Sequence, residues 1–244
     1  MNAVWDRASA PVVCGPRTVG GLFAGVVCLT AAVGIVTAPL VADPLLRALF
    51  GVALLTVAAV LVRPWFGSWR DLGMHRQVRQ PWLLATPAVI AGAPLLWGVQ
   101  WPPAAALGIL AAGYLLTGFT EELLWRGMAL RALERSRPLV AVLVTSALFG
   151  LSHLVNLLYR DNAGLVLAQV WGAFCFGVGY AALRRRIGSI LPLMLLHAVT
   201  DFAGRITTGP AILFFVMQDA VLLAFGLVLV LRERGVPSSA QLVG

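Results

Sequence analysis

The chain has 244 residues, of which 60% are hydrophobic and 11% are charged. This leaves too little polar surface to cover a soluble globule of that size, so the composition excludes the soluble classes and predicts a membrane protein. The net charge of +8 comes entirely from arginine, because the sequence contains no lysine.

Apolar runs separated by charged or Pro/Gly-rich breaks predict an all-α polytopic membrane protein. The first run follows Arg7 and Arg17, but it is too long for the core of a secretion signal, which spans about 7 to 15 residues. We expect one domain covering residues 1–244, with about eight transmembrane helices near residues 18–42, 47–62, 82–99, 104–124, 138–158, 165–183, 187–204 and 211–231.

The arginines give the predicted helices an orientation. If both termini are cytoplasmic, fourteen arginines fall in inner segments and only Arg47, Arg160 and Arg205 fall in outer ones, the asymmetry expected of short loops. The positive charge therefore indicates topology and contact with anionic lipids rather than nucleic acid binding. The lysine-free, alanine-rich sequence favours a prokaryotic plasma membrane. Residues 63–80, the longest break, are predicted to lie along the cytoplasmic interface as an anchor.

Two adjacent glutamates lie inside the fourth predicted span, where ionisable residues are costly and usually mark function or a compulsory pairing. Neighbouring residues on a helix point about 100° apart, whereas residues four apart share a face. Glu122 can therefore reach Arg126 on its own helix. The residue four positions after Glu121 is Trp125, so Glu121 needs a partner from another helix. We predict a structural Glu122–Arg126 ion pair and a reactive Glu121.

Helix geometry places further polar residues at the same depth. The connection between the fourth and fifth spans lies near residues 136–138, so Glu121 and His153 both stand about 22 to 24 Å from it at 1.5 Å per residue. His197 and Asp201 are one turn apart on one face of the seventh span. We expect all four side chains to meet around one water-accessible hollow, with Asn156 lining it.

Three sequence patterns contain these residues in order: Glu121-Glu122-Leu-Leu-Trp-Arg126, Phe149-Gly-Leu-Ser-His153 and His197-Ala-Val-Thr-Asp201. They resemble the EExxxR, FxxxH and HxxxN motifs of the CPBP family. That family comprises the CAAX prenyl endopeptidases of the Rce1 type and the bacterial bacteriocin-processing and immunity proteins, also called Abi proteins. The resemblance covers roughly residues 118–204, within a motif-bearing core of about 104–205.

The resemblance implies a metal-independent, cofactor-free glutamate-type intramembrane endopeptidase that acts on peptides or proteins at the membrane. It implies that Glu121 and His153 hold and activate water and that His197 and Asp201 stabilise the oxyanion. The supporting positions are Glu122, Arg126 and Phe149. Many members have asparagine where this chain has Asp201, and a carboxylate cannot donate a hydrogen bond unless it is protonated. Asp201 therefore has a second possible role, which is to orient His197.

Two alternatives stay open at the level of sequence. No HExxH, GxSG or GxGD motif occurs at membrane depth, which favours glutamate chemistry. Glu121, His153 and His197 would nevertheless make three ligands for a catalytic zinc ion. Intramembrane Glu, His and Asp residues also build proton relays. A non-catalytic protein for immunity, transport or peptide binding is therefore the competing class, although the spans show no evident repeat of the kind common in transporters.

Overall fold

The computed structural model describes residues 15–233, and these fold as helices joined by short connections. Residues 1–14 and 234–244 lie outside the described part. The cytoplasmic placement of both termini, including Arg7 and Arg234, therefore stays a prediction, as does the single domain of residues 1–244. The α-helices are α1 Pro16–Thr37, α2 Pro44–Val62, α3 Ala85–Gly92, α4 Ala104–Glu121, α5 Leu130–Ala132, α6 Pro138–Ser152, α7 Ala163–Ile187, α8 Leu191–Ile206 and α9 Ala211–Glu233.

Shorter helical turns extend several of these elements. A π-helix, Glu122–Ala129, joins α4 to α5. The remaining turns are 3₁₀ helices at Arg63–Trp65, Pro81–Leu84, Ala93–Trp97 and His153–Leu158. Each predicted apolar run therefore coincides with a helical segment, and the all-α class is confirmed for the described residues.

Six helices in the described range are long and apolar enough to cross a membrane, which makes the chain a multi-pass membrane protein. They are Pro16–Thr37, Pro44–Trp65, Ala104–Ala132, Pro138–Leu158, Ala163–Ile187 and Ala211–Glu233. The other two predicted spans form the shorter segments Pro81–Trp97 and Leu191–Ile206. Proline accounts for the first, because Pro81 begins one 3₁₀ turn and Pro94 lies in the first turn of the other, Ala93–Trp97. Eight crossings remain a prediction.

Close packing of α4 on α8 sets the distance between the motifs. Gly118 faces α8, and a Cβ atom at that position would overlap the carbonyl oxygen of Met194. Glycine therefore permits a backbone approach that a larger residue would prevent. Glu121 lies one turn after Gly118, and His197 lies one turn after Met194. The approach brings the first motif next to the third.

Helix α7 lies at the centre of the bundle, between α6 and α9. Half of its apolar stretch is buried. Gly177 packs against Ser146 of α6, and Gly226 of α9 packs against the backbone at Val178. The helix ends at Gly188, whose φ of +81° is a left-handed conformation that favours glycine. Its last turn carries Arg184, Arg185 and Arg186.

Residues 63–80, which we predicted to anchor the chain along the cytoplasmic interface, also pack against the helices. Leu72 is fully buried, and the backbone of this segment bonds to the connection between α7 and α8. The amide of Ile190 donates to the carbonyl of Gly73 (2.9 Å), and the amide of Arg79 donates to the carbonyl of Ile187 (2.8 Å). The segment therefore fixes the start of α8, the helix that carries His197.

Candidate active site

The helix that carries the two glutamates changes geometry between them. Glu121 is the last residue of α4, and Glu122 is the first residue of the π-helix. Such π segments are rare and are found frequently at functional sites. Ideal α-helical geometry would turn the adjacent carboxylates about 100° apart, yet both point at the same imidazole ring on α8.

His197 is the centre of this arrangement. Its Nδ1–H donates a hydrogen bond of 2.8 Å to Oε1 of Glu122. Its Nε2 lies 3.6 Å from Oε2 of Glu121 and 3.6 Å from Oδ2 of Asp201. Three carboxylates thus surround one imidazole, which is 4% exposed. We call Glu121, Glu122, Arg126, His197 and Asp201 the polar cluster.

The predicted Glu122–Arg126 ion pair is present and buried. NH1 of Arg126 lies 3.1 Å from Oε1 of Glu122, the same oxygen that accepts from His197. Removing one partner of such a buried pair leaves an uncompensated charge, which typically costs about 3–5 kcal/mol. Glu122 therefore does more than the structural pairing that we predicted, because it also holds the imidazole by Nδ1.

The carboxylate at Nδ1 of His197 and the two carboxylates at Nε2 differ in solvent exposure. The Glu122 side chain is fully buried, whereas the side chains of Glu121 and Asp201 are 22% and 36% exposed. The open side of the ring is therefore its Nε2 side. A reactant that enters the polar cluster meets Glu121, Asp201 and Nε2 of His197 together.

His153 interacts electrostatically with Asp201 of the polar cluster but forms its own hydrogen bond elsewhere. Its Nδ1 bonds to the carbonyl oxygen of Phe149 (2.9 Å), and within residues 15–233 it makes no hydrogen bond or ion pair with Glu121, His197 or Asp201. A carbonyl oxygen can only accept, so Nδ1 carries the proton. In the neutral ring, Nε2 is then left as an acceptor. The helix changes type at this residue, since α6 ends at Ser152 and a 3₁₀ turn begins at His153. The shared layer of His153 and the other site residues stays a prediction.

Phe149 connects His153 to the polar cluster. Its ring lies 5.1 Å from the His153 ring in an edge arrangement. The same Phe149 ring also contacts Arg126, whose guanidinium carbon lies 4.5 Å from the ring centroid. The phenylalanine of the second motif therefore packs between the cation of the first motif and the histidine of its own. Cation–π contacts of this kind contribute about 0.5–2 kcal/mol, with the larger values when desolvated.

Asn156 contacts α7 rather than the polar cluster. Its Nδ2 donates a hydrogen bond of 2.9 Å to Oε1 of Gln169. The contact ties the 3₁₀ turn that carries His153 to the central helix. This hydrogen bond does not test whether Asn156 lines the hollow, which stays a prediction.

Sequence reasoning missed two features of the site. Phe176 of α7 lies with its ring centroid 4.6 Å from that of His197. Its only sequence signal was a pair of aromatic residues four apart in an apolar helix, which is typical of any core. The other missed feature is a groove of about 530 Å³ formed by α3, α8 and α9. Its wall is almost entirely apolar and reaches Thr200 and Gly204 of α8, on either side of Asp201 in sequence.

A much smaller hollow touches the other end of the polar cluster. It measures about 10 Å³, is lined mainly by charged side chains, and includes Arg126 in its wall. That volume is close to the minimum for one water molecule.

Among residues 15–233, no group of three or more His, Cys, Asp or Glu side chains is arranged to hold a metal ion. Glu121, His153 and His197, the zinc ligands that the sequence left open, are included in that range. The zinc alternative is therefore left to experiment.

Comparison with known proteins bears on the part of the chain that holds these residues. No curated protein matches the chain. Residues 103–203, which contain all three motifs, match the family model described as type II CAAX prenyl endopeptidase Rce1-like. The family assignment that the motifs indicated is thereby confirmed: the chain carries a domain of the Rce1-like family of CAAX proteases.

Proposed function

We propose that this protein is a metal-independent intramembrane endopeptidase that cleaves membrane-associated peptides or proteins with water activated by Glu121 and His153. The observation that carries the proposal is the geometry at His197. Its Nδ1 is held by a buried carboxylate, and its Nε2 lies between two carboxylates that are partly exposed. The family supports a CAAX-type protease. The glutamate and histidine mechanism is our addition.

Glu121 has the placement that a general base needs. Its carboxylate is partly exposed and lies beside Nε2 of His197, so a water molecule bound there would contact both groups. Glu121 would take a proton from the water while the water oxygen attacks the peptide carbonyl carbon. General-base assistance of this kind typically contributes about 10² to 10⁴-fold in rate.

His197 would serve the oxyanion that forms in this step. In its protonated form the ring donates from both nitrogens, to Glu122 at Nδ1 and to the developing oxyanion at Nε2. The 3.6 Å separations from Glu121 and Asp201 exceed hydrogen-bond length, which leaves room for a substrate oxygen. A donor aimed at an oxyanion is worth about 3–4 kcal/mol in the transition state.

His153 would complete the proton transfers. Its Nδ1–H is committed to the Phe149 carbonyl, so Nε2 is the nitrogen that can hold the water or exchange a proton. When the tetrahedral intermediate collapses, the carbon–nitrogen bond breaks and the leaving amine takes the proton that Glu121 removed from water, either directly or relayed through Nε2 of His153. The base is then regenerated.

The groove suggests how a substrate is held. Its apolar wall fits an apolar part of a membrane-associated substrate, and that wall includes Thr200, the residue before Asp201 in the sequence of α8. A substrate anchored there would present a neighbouring peptide bond to Glu121. In a prokaryote such substrates would be peptide pheromones, bacteriocins or membrane proteins.

The test is cleavage by purified protein in liposomes. Wild type, Glu121→Gln and Glu134→Gln are mixed with membrane peptides, with and without a strong zinc chelator, and new termini are found by mass spectrometry. Glu134 is the matched control because its side chain is exposed to nearly the same extent as that of Glu121, 25% against 22%, but pairs with Arg131 outside the polar cluster. We expect chelator-resistant cleavage by wild type and Glu134→Gln, and a rate lower by about 100-fold or more for Glu121→Gln.

Each other outcome contradicts a defined part of the proposal. Cleavage by Glu121→Gln at the wild-type rate would remove Glu121 as the base. Loss of cleavage with chelator, restored by zinc, would establish the zinc alternative. No cleavage of any peptide by wild type would favour the immunity, transport or peptide-binding alternative.

A further inference from the structure

Two aromatic side chains of α7 face the polar cluster, although neither belongs to the three motifs. Phe176 and Tyr180 are one helical turn apart and are 5% and 1% exposed. Their rings stack with centroids 3.9 Å apart and planes inclined by 24°. They form one continuous aromatic surface on the central helix.

This surface contacts two members of the polar cluster at once. The ring centroid of Phe176 lies 4.6 Å from that of His197. The guanidinium carbon of Arg126 lies 5.5 Å from the centroid of Phe176 and 5.8 Å from that of Tyr180. Together with Phe149 of α6, the two rings surround the arginine that pairs with Glu122.

The hydrogen bonds of the polar cluster do not fix the tilt of the His197 ring, and the packing of Phe176 restricts it. The one short bond of the His197 ring is the 2.8 Å contact to Glu122, and the ring can tilt about the axis of that bond. Tilting would move Nε2 away from Glu121 and Asp201. Phe176 packs against the imidazole and opposes the tilt. Side chains of a reactive site hold their geometry when packing locks their rotamers.

We propose that Phe176 is a positioning residue for peptide hydrolysis, because it keeps Nε2 of His197 between Glu121 and Asp201 while it confines Arg126 beside Glu122. This inference rests on the proposed function. Phe176 touches no reacting atom, so it acts on the rate of the chemical step and not on the binding of substrate.

The first experiment compares Phe176→Leu with Phe174→Leu in the purified, liposome-embedded protein. Phe174 is the matched control, since it is on the same helix, is partly buried and packs against Trp171 (5.7 Å) rather than the polar cluster. We expect Phe176→Leu to lower kcat about tenfold or more, with KM within about twofold of wild type, because a misplaced group slows chemistry more than binding. Phe174→Leu should change neither constant by more than about twofold. Equal effects of the two variants, or a change in KM alone, would overturn the proposal.

A second experiment separates positioning from a general loss of stability. Phe176→Leu is combined with Glu122→Gln, which removes the charge from the group that holds Nδ1 and so weakens the hydrogen bond that fixes the imidazole. If Phe176 acts through His197, the added substitution should lower kcat by less than about threefold, since residues that act as a unit are not additive. A full, independent tenfold loss in the Glu122→Gln background would contradict positioning.

A more conservative variant guards against misfolding. If Phe176→Leu does not fold, Phe176→Met takes its place, because methionine fills irregular space without a flat ring. A folded Phe176→Met protein with wild-type kcat would refute the proposal. Cleavage at the wild-type rate by Glu121→Gln would instead refute the proposed function, whatever the Phe176 variants do.

Discussion

Helices α2 and α7 are both apolar enough to cross a membrane, yet they occupy opposite environments. Only 6% of the apolar stretch of α2 is buried, against 50% for α7. Helix α2 presents side chains to the surroundings over most of its length, and α7 is enclosed by α6 and α9. Apolarity therefore identifies segments that can cross the membrane without identifying those inside the bundle.

The polar cluster belongs to the buried part of the bundle, which we call the inner region; α1 and α2 form the outer region. The members of the polar cluster come from the helix that continues α4 and from α8, and the aromatic surface of α7 covers one side of it. Helix α2 reaches α4 beside the polar cluster, where Oγ1 of Thr56 lies 2.6 Å from Oγ1 of Thr120, but neither α1 nor α2 supplies a member of the polar cluster. The hydroxyl of Thr30 bonds within its own helix, from Oγ1 to the carbonyl of Val26 (2.8 Å). The difference indicates that chemistry resides inside and that the outer pair has a supporting role.

After Glu121, whose replacement removes the proposed base, the largest effect is expected at Glu122. Glu122→Gln keeps the size of the side chain but removes the charge that holds both His197 and Arg126. A hydrogen bond to a charged group is worth about 1.5–3 kcal/mol, so kcat should fall about 10 to 100-fold. Steady-state kinetics beside Glu134→Gln, which should stay within about twofold of wild type, measures this loss. A Glu122→Gln enzyme with more than half of the wild-type kcat would contradict the claim that Glu122 holds His197 and Arg126 for catalysis.

Asp201 should matter less, because its side chain is 36% exposed and its oxygen lies 3.6 Å from Nε2 of His197. Exposed pairs are worth up to about 1 kcal/mol, so Asp201→Asn should retain kcat within about fivefold of wild type. Asp201→Ala should lose more, since it removes every polar atom. Parallel kcat measurements on the two variants decide the matter. Complete inactivity of Asp201→Asn would show that the carboxylate itself is required.

The groove offers a test of substrate binding. A Cβ at Gly204 would lie 3.5 Å from the ring of Phe215, so a leucine there would occupy groove volume. Gly204→Leu should raise KM about three- to fivefold with little change in kcat, because the occupied groove weakens substrate binding without moving the catalytic groups. Gly20→Leu is the control, since a Cβ at Gly20 meets nothing within 4 Å. An unchanged KM for Gly204→Leu would exclude the groove as the substrate site.

The smallest effect is expected in the outer region. Thr30→Val removes a hydroxyl that bonds only within α1, so kcat and KM should both stay within about 1.5-fold of wild type and stability within about 0.5 kcal/mol. A loss of activity comparable to that of Glu122→Gln would end the division between inner and outer helices.

Sequence rules predicted what depends on spacing along one helix. The Glu122–Arg126 pair and the approach of Asp201 to His197 both follow from residues four apart sharing a face, and the helical segments follow from hydropathy. The three motifs also sufficed to indicate the family. These features need no knowledge of how the helices pack.

Features that depend on departures from the regular α-helix could not be predicted. The contact of Glu122 with His197 occurs where a π-helix begins, and the residue types in that segment do not indicate a π-helix. The continuous helix predicted over residues 138–158 changes type at His153, because α6 ends one residue before it and a 3₁₀ turn follows. The burial of Leu72 depends on backbone bonds to the connection before α8, which apolar periodicity does not reveal.

The central claim is that a carboxylate of one helix and an imidazole of another act on the same step. A double-mutant cycle with Glu121→Gln, His197→Gln and the combined variant tests it directly, with kcat measured in one liposome preparation. We expect the combined variant to be no more than about threefold slower than the slower single variant, because groups that act as a unit are not additive. Two losses that multiply would mean that Glu121 and His197 work independently, which would contradict the shared site.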